Sequence, residues 1–312
     1  MDSGNIGFVL LCAAFVFVMT PGLAMFYGGL VRKKNVVNTM MTSIFIIGIG
    51  IVMWVLFGYS LSFAPSGNAF IGDFRWLGLE GVSLTEGYTD DASIPNMVFS
   101  AFQMMFAVIT PALITGAVAG RMKFKSIFVF TIFWSLIVYY PLAHMVWGQG
   151  GLLGADGIGA LDFAGGDVVH ISSGVSALVL CILLGKRHDY EHSIYRIHNI
   201  PTVVLGASLL MFGWFGFNAG SALAADGLAA HAFMTTGVSA AAAMLSWMLC
   251  DVIKNKKPTL IGASTGMVAG LVGITPGAGF VPMWAAVIIG LTTSPAVSYT
   301  HLRAHETDSY LV

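Results

Sequence analysis

The chain has 312 residues, of which 57% are hydrophobic and only 9% are charged, and its mean hydropathy is +0.84. Soluble domains carry about 25% charged residues, so this composition excludes a soluble enzyme and a nucleic-acid-binding protein. The formal net charge of −1 says little, because the charges are clustered rather than scattered. We therefore predict an all-α protein, a polytopic helical bundle that is an integral membrane protein.

Windows of about 20 apolar residues predict membrane-spanning helices. Eight such windows lie near 6–31, 40–63, 95–119, 125–147, 166–185, 200–222, 227–252 and 259–276. A ninth apolar run begins near Pro282 and is interrupted. The first window follows Asp2, has no basic leader and ends in the basic run 32–34. We interpret it as a retained helix rather than a signal peptide.

Basic residues cluster after the first, third, fifth and seventh windows. Twelve of the 14 lie there: Arg32, Lys33, Lys34, Arg121, Lys123, Lys125, Lys186, Arg187, Arg196, Lys254, Lys256 and Lys257. Loops rich in Lys and Arg stay in the cytoplasm. The pattern therefore predicts four cytoplasmic loops and an N-terminus outside the cell.

The predicted outside loop at 64–94 is acidic. Its carboxylates are Asp73, Glu80, Glu86, Asp90 and Asp91. This composition suits an entrance for cations, and it equally suits a loop that is merely soluble.

Glycines recur at four-residue spacing in three of the windows. The pairs and triplet are Gly116 and Gly120; Gly216 and Gly220; and Gly262, Gly266 and Gly270. In membrane helices this spacing places small residues on one face and lets backbones approach closely. It predicts a tightly packed bundle and says nothing about function.

The segment 294–312 departs from the membrane pattern, since it ends the ninth run and supplies five charged or imidazole side chains. These are His301, Arg303, His305, Glu306 and Asp308. It has no periodicity matched to a membrane span, and VSYTHLRAHET resembles a translated sequencing-adapter read-through. We divide the chain into a membrane domain at 1–293 and a non-native tail at 294–312. Sequencing the gene across its 3′ end tests this hypothesis.

The stretch 161–177, LDFAGGDVVHISSGVSA, places ionisable groups at the start of the fifth window. Helical spacing puts Val168, Ile171 and Val175 on one face, and His170 with Ser173 on the other. His170 is therefore expected to face protein inside the membrane, as a functional group or as a buried histidine with a local partner.

Two acidic residues flank the start of the same helix. Asp162 is expected to cap it by accepting backbone N–H groups, and its charge can raise the affinity of a nearby cation site. Asp167 in the first turn complements the helix dipole.

Aromatic residues lie at several predicted helix ends and faces. Phe102 and Phe106 are four residues apart on one face, Trp147 ends the fourth window, and 213–221 reads GWFGFNAGS. Aromatic residues at helix ends are typically interfacial anchors, so their spacing alone does not predict a ligand site.

Four motifs together resemble the ammonium transporter family (Amt, Mep and Rhesus proteins), in particular its bacterial and archaeal Amt branch. They are AMFYGGLVRKKN at 24–35, AHMVWGQGGLL at 143–153, LDFAGGDVVHISSG at 161–174 and GWFGFNAGSA at 213–222. The resemblance extends from Asn5 to about Gly290. It implies transport of ammonium or ammonia, with methylammonium as an analogue.

The resemblance also implies roles for individual residues. Trp147, Phe106 and Ser221 match an outer recruitment site, where aromatic faces and a hydroxyl receive a cation. Phe106 and Phe217 match a stacked pair that gates the pore. His170 matches the first of two pore histidines.

Two further residues are expected to support this site. Asp162 matches the carboxylate beneath the recruitment site, important for structure and for attracting cations. Phe102 shares the helix face of Phe106. We predict no metal site and no cofactor.

Members of the family have eleven helices, arranged as two inverted five-helix repeats and a last long helix. The resemblance implies a homotrimer in the lipid bilayer and, for the full-length parent, a regulator of the P-II type. The second pore histidine is not matched in this chain, because His301 and His305 lie outside any apolar segment. The apolar windows predict eight full spans and a partial ninth of these eleven helices. Because helices and the second histidine are unmatched, we expect that the 312-residue chain does not itself conduct.

Three alternatives come from other classes. An ammonium sensor with the same fold would need an output domain, and a generic channel for water or solutes would show no competition by ammonium. An intramembrane hydrolase would need a nucleophile–base pair or a multi-ligand metal site, which Asp162 and His170 alone do not supply, and no HExxH occurs in the sequence.

Overall fold

The computed structural model describes residues 1–65, 67–155, 157–185 and 197–307, with side chains described to residue 300. Over these residues the chain is built from helices and connecting loops, without a β-strand. The long helices are α1 (Ser3–Leu30), α2 (Lys33–Phe63), α3 (Asn96–Val118), α4 (Phe124–Trp147), α5 (Gly166–Leu184), α6 (Ile200–Gly220), α7 (Gly227–Asn255), α8 (Leu260–Gly277) and α9 (Met283–Thr307).

Helices α1 to α8 are the eight, within the described part of the chain, that are long and apolar enough to cross a membrane. Each overlaps one of the windows predicted from the sequence, so the all-helical membrane fold is confirmed. The orientation of the N-terminus stays a prediction. Three basic residues used for it, Lys186, Arg187 and Arg196, lie outside the described residues.

Helix α9 begins at Met283, as the apolar run from Pro282 predicts, but its C-terminal part differs from the expectation. It continues as one helix through Pro295 to Thr307, whereas we expected no helical pattern after residue 293. A proline removes one backbone hydrogen bond, and neighbouring helices can accommodate this in a membrane bundle. The side chains of the charged residues at 301–308 are not described. The division of the chain at residue 293 stays a prediction, because a helical backbone does not reveal whether the segment is native.

Two of the three predicted glycine sets lie where helices pack closely against each other. A Cβ atom at Gly216 would lie 2.7 Å from Phe15 of α1, and one at Gly220 would lie 2.6 Å from Cys12. The triplet 262–270 likewise faces α7. The prediction that Gly116 and Gly120 share one helix face is wrong. Gly116 contacts the ring of Tyr27, but Gly120 lies beyond the end of α3 with φ +71°.

The loops at one end of the bundle pack onto each other and form a cap. The backbone N–H of Leu152 donates to the carbonyl of Ala69 (2.9 Å), and Gln149 bonds twice to Tyr88. The buried His144 ring lies between two carbonyl oxygens, those of Ser62 (3.1 Å) and Asn68 (2.7 Å). These bonds hold the segment after α2 against the end of α4.

Candidate functional site: an aromatic cavity above a buried histidine

Asp162 closes the turn that precedes α5. Its Oδ1 accepts the N–H groups of Gly165 (2.6 Å) and Gly166 (2.7 Å), and its Oδ2 accepts those of Asp167 (2.8 Å) and Val168 (3.1 Å). The first turn of a helix exposes unpaired N–H groups and positive partial charge. The predicted capping role is therefore confirmed, and one buried carboxylate serves four donors.

The two glycines in this turn are required by the backbone. Gly165 has φ +112°, a conformation that residues with a Cβ rarely adopt. A Cβ on Gly166 would lie 2.3 Å from Pro276, where α8 ends. The Gly-Gly pair therefore lets the start of α5 approach the end of α8.

Helix α5 opens with a wide π-helical turn, Gly166–Ile171. Because a π-helical turn holds more residues than an α-helical turn, Val168, which lies within it, is shifted off the stripe that regular α-helical spacing predicts. Val168 is therefore buried, whereas Ile171 and Val175 are more than half exposed. The sequence-based assignment of Val168 to the apolar outer stripe is wrong, and the rest of the stripe is confirmed.

The imidazole of His170 lies inside the bundle, as predicted. Its ring stacks against Trp214 at 5.4 Å and against Phe217 at 6.0 Å, measured between ring centroids. Its Nε2 atom is buried and has no hydrogen-bond partner among the described residues. An unpaired buried polar atom costs about 1–3 kcal/mol, so the fold retains this nitrogen at a cost.

Phe106 and Phe217 form the central aromatic pair of the site. Their ring centroids lie 4.2 Å apart with an interplanar angle of 31°. Phe106 also contacts Phe102 at 5.0 Å and Trp147 at 6.0 Å, both edge to face. The three rings on α3 and α4 therefore form one aromatic wall, closed at its base by Phe217 of α6.

An outer cavity of about 730 Å³ lies on one side of this pair. It is lined by Phe102, Gln103, Phe106, Trp147, Asp162 and Ser221, among others. The exposed carboxylate Asp91, from the acidic loop, also belongs to its lining. The cavity thus combines aromatic faces with negative charge.

Two hydrogen bonds fix the orientation of the cavity walls. The indole N–H of Trp147 donates to the carbonyl of Asp162 (3.0 Å). The hydroxyl of Ser221 donates to the carbonyl of Phe217 (2.9 Å). Because each group has its donor engaged, Trp147 presents a ring and Ser221 presents free lone pairs.

A second cavity of about 1210 Å³ lies on the other side of the aromatic pair. His170, Ser173 and Ala177 of α5 line it, together with Phe26 and Tyr27 of α1. Phe106 belongs to the outer cavity and His170 to the inner one, while Phe217 contacts both side chains. The Phe106–Phe217 pair therefore separates the two cavities.

The structure brings together all the site residues predicted from the sequence. Six of them contact one another or line the two cavities around the aromatic pair: Phe102, Phe106, Trp147, Asp162, His170 and Phe217. Ser221 completes the outer cavity. Their roles in function stay proposals.

Sequence reasoning missed two residues. Trp214 stacks on His170, and Gln103 lines the outer cavity. The spacing of Trp214 and Phe217, three apart on one helix, was a usable signal. For Gln103 there was no such signal except its position beside Phe102.

A membrane-spanning helical bundle with two cavities separated by an aromatic pair, one lined by aromatic and acidic residues and one by an imidazole, is typical of a membrane transport protein. The chain belongs to the Ammonium Transporter Family, whose family model matches residues 7–307. It is a multi-pass protein of the cell membrane.

Similar proteins agree with this assignment. An ammonium transporter of Bacillus subtilis (strain 168) is 53% identical over 291 residues, which are 93% of this chain and 70% of that protein. The crystal structure of Saccharomyces cerevisiae Mep2 matches with a TM-score of 0.90 and 37% identity, over 99% of this chain and 68% of that one. A structure titled "Sensor Amt Protein" matches with a TM-score of 0.87 and 28% identity, covering 98% and 76% of the two chains. The chain spans about two thirds of the length of the curated relatives it matches.

Proposed function

We propose that this chain forms the recruitment site and the outer part of the pore of a transporter for ammonium or ammonia. The observation that carries the proposal is the Phe106–Phe217 pair, which lies between an aromatic, acidic cavity and a buried imidazole. Family membership supplies the substrate.

Recruitment begins at the aromatic wall. A cation over the face of Trp147 or Phe106 gains about 0.5–2 kcal/mol, and the charge of Asp162 adds to this attraction. The gain concentrates ammonium in the cavity but does not offset its dehydration in an apolar pore. In the cavity ammonium transfers a proton to water and crosses as ammonia, whereas potassium has no proton to transfer. Selectivity therefore follows from acid–base chemistry rather than from ionic radius.

Passage requires the Phe106–Phe217 pair to part and uses His170 below it. A neutral imidazole carries one N–H donor and one acceptor nitrogen. Its Nε2 has no partner among the described residues, so it is free to bind a passing ammonia or to relay a proton. Trp214 holds the ring in place by stacking.

Uptake of methylammonium, in cells that lack their own ammonium transporters, tests the proposal. Expression from the complete reading frame of the gene should restore uptake, and Trp147→Ala and His170→Ala should each reduce it. Trp284→Ala is the control, because Trp284 is 68% exposed and is not among the residues that line either cavity. Wild-type activity in both site variants would contradict the proposed roles. The same assay on the 312-residue chain tests the prediction that it does not conduct.

The homotrimer and the P-II regulator are proposed from the family resemblance alone. Cross-linking of the protein in native membranes tests the trimer, and co-purification with a P-II protein tests the regulator.

The likeness to a structure titled as a sensor supports a second candidate, in which the same site detects ammonium and signals its presence. The two functions differ in one measurable result. A transporter restores growth on limiting ammonium, whereas a sensor alters a downstream response without restoring that growth.

A further inference from the structure

Two polar side chains that line the outer cavity are more than nine-tenths buried, Gln103 and Asp162. They differ in how their acceptor atoms are used. A carboxylate has about four lone-pair positions, and the four backbone N–H groups at the start of α5 occupy those of Asp162. Asp162 therefore contributes charge to the cavity but no free acceptor.

The amide of Gln103, by contrast, has an acceptor oxygen that is not used. Its Oε1 is buried and finds no hydrogen-bond donor in the described part of the chain. Gln103 precedes Phe106 by three residues on α3, so the two side chains share a helix face. The amide thus lies in the wall of the cavity, one helical turn before the aromatic pair.

An ammonium ion that enters this cavity exchanges water acceptors for aromatic faces. The faces attract its charge but satisfy its four N–H donors poorly, and Ser221 offers lone pairs for one of them. The terminal torsion of a glutamine has a broad energy minimum, so a cation can orient the Gln103 carbonyl toward itself. Hydrogen bonds to a charged partner are about twice as strong as neutral ones.

We propose that Gln103 is a specificity-determining residue of the recruitment site, accepting an N–H hydrogen bond from the bound ammonium. This inference rests on the proposed function, since it assigns a further ligand group to the same cavity. It predicts that the cavity distinguishes cations by their N–H donors as well as by their charge.

Cation binding to the purified 312-residue chain in lipid nanodiscs tests this, because the outer cavity is formed by described residues of this chain. The probes are ammonium and tetramethylammonium, which carries the same charge but has no N–H group. Gln103→Leu is expected to weaken ammonium binding about tenfold or more and to leave tetramethylammonium binding unchanged. Gln103→Glu keeps the shape with a stronger acceptor and is expected to strengthen ammonium binding.

Gln149→Leu is the matched control. Gln149 is exposed at the rim of the same cavity and its NH₂ group donates to the Tyr88 carbonyl (2.9 Å), so it offers no buried unpaired acceptor and both affinities should stay unchanged. Retained tetramethylammonium binding also reports that a variant has folded.

Equal loss of both cations in Gln103→Leu, or no loss of either, overturns this inference and leaves the proposed function intact. Failure of the unsubstituted chain to bind either cation overturns both. A selective loss of ammonium binding supports the assignment of Gln103.

Discussion

Phe106 of α3 and Phe217 of α6 bring their rings within 4.2 Å of each other, between the two cavities of the bundle. Both side chains are 1% exposed, so each depends on the other for part of its packing. Under the proposed function, opening a path between the cavities requires this contact to break. Its strength would then set part of the barrier to passage.

A double-mutant cycle measures this contact. Phe106→Ala and Phe217→Ala should each destabilise the purified chain, and their effects should couple by about 0.5–1.5 kcal/mol, the range for aromatic pairs. The measurement is the free energy of unfolding in detergent. Phe106→Ala combined with Phe215→Ala is the control, because Phe215 packs on Phe233 instead, and these effects should add within about 0.5 kcal/mol. Additive effects for Phe106 and Phe217 would show that the contact does not contribute to stability.

Asp162→Asn should destabilise the chain strongly. The amide keeps one acceptor oxygen but turns its NH₂ group toward two of the four backbone donors that the carboxylate now serves. Each unsatisfied buried N–H costs about 1–3 kcal/mol, so we expect a loss of about 2–6 kcal/mol in the free energy of unfolding.

Asp226→Asn is the matched control for Asp162. Asp226 caps α7 through one N–H group, that of Ala229 (3.0 Å), and Asn caps helices as well as Asp does. The loss in the free energy of unfolding caused by Asp226→Asn should be near zero. Equal effects of the two substitutions would contradict the four-donor role of Asp162.

His170→Phe should leave the stability of the chain unchanged or raise it. Phenylalanine keeps the aromatic stack with Trp214 and Phe217 and removes a buried nitrogen that lacks a partner among the described residues. Thermal unfolding of the purified protein measures the effect, and methylammonium uptake by the complete gene product should fall in the same variant. A residue whose removal helps folding and harms transport is retained for function.

His144→Phe provides the contrast, because both ring nitrogens of His144 lie within hydrogen-bonding distance of backbone carbonyls. We expect it to lower stability by about 1–3 kcal/mol, the cost of an unsatisfied buried polar group. A stability loss in His170→Phe as large as that in His144→Phe would count against a functional role for His170.

Tyr88 lies in the loop outside the spans, and its raised pKa leads us to expect a loss of stability at high pH. Burial raises the pKa of its phenol from the ordinary value of 10.0 to about 12. The folded chain therefore keeps the proton that the unfolded chain releases. The stabilisation is fully present below pH 10 and is lost as the pH rises from 10 to about 12.

The measurement is the free energy of unfolding between pH 9 and pH 12, with Tyr88→Phe as the comparison. The variant lacks the phenol, so its stability should fall less steeply over this interval. Identical slopes for the two proteins would contradict the shifted pKa of Tyr88.

The orientation of the bundle can be tested by labelling single cysteines in a chain whose three native cysteines are replaced by alanine. Leu84→Cys lies in the acidic loop and Val37→Cys follows the basic run, at positions 71% and 77% exposed. With the N-terminus outside, a membrane-impermeant maleimide should label the first in intact cells and the second only after permeabilisation. The reverse result would invert the predicted topology.

The sequence by itself determined the membrane class, the positions of the spans and the family. Hydropathy over about 20 residues is a local property, and each apolar window became one helix of nearly the same bounds. The capping role of Asp162 was also local, because its four donors lie within six residues of it.

Only the tertiary structure decided how the polar groups are used. The π-helical turn that buries Val168, the stack of Trp214 on His170 and the unpaired carbonyl of Gln103 depend on contacts between distant helices. Periodicity assumes a regular helix and does not register which neighbours a side chain meets. Residues 106 and 217 lie on different helices, so their sequence spacing carries no information about the 4.2 Å contact. Helices α3 and α6 both pack against α1, and the contact between their rings creates the site.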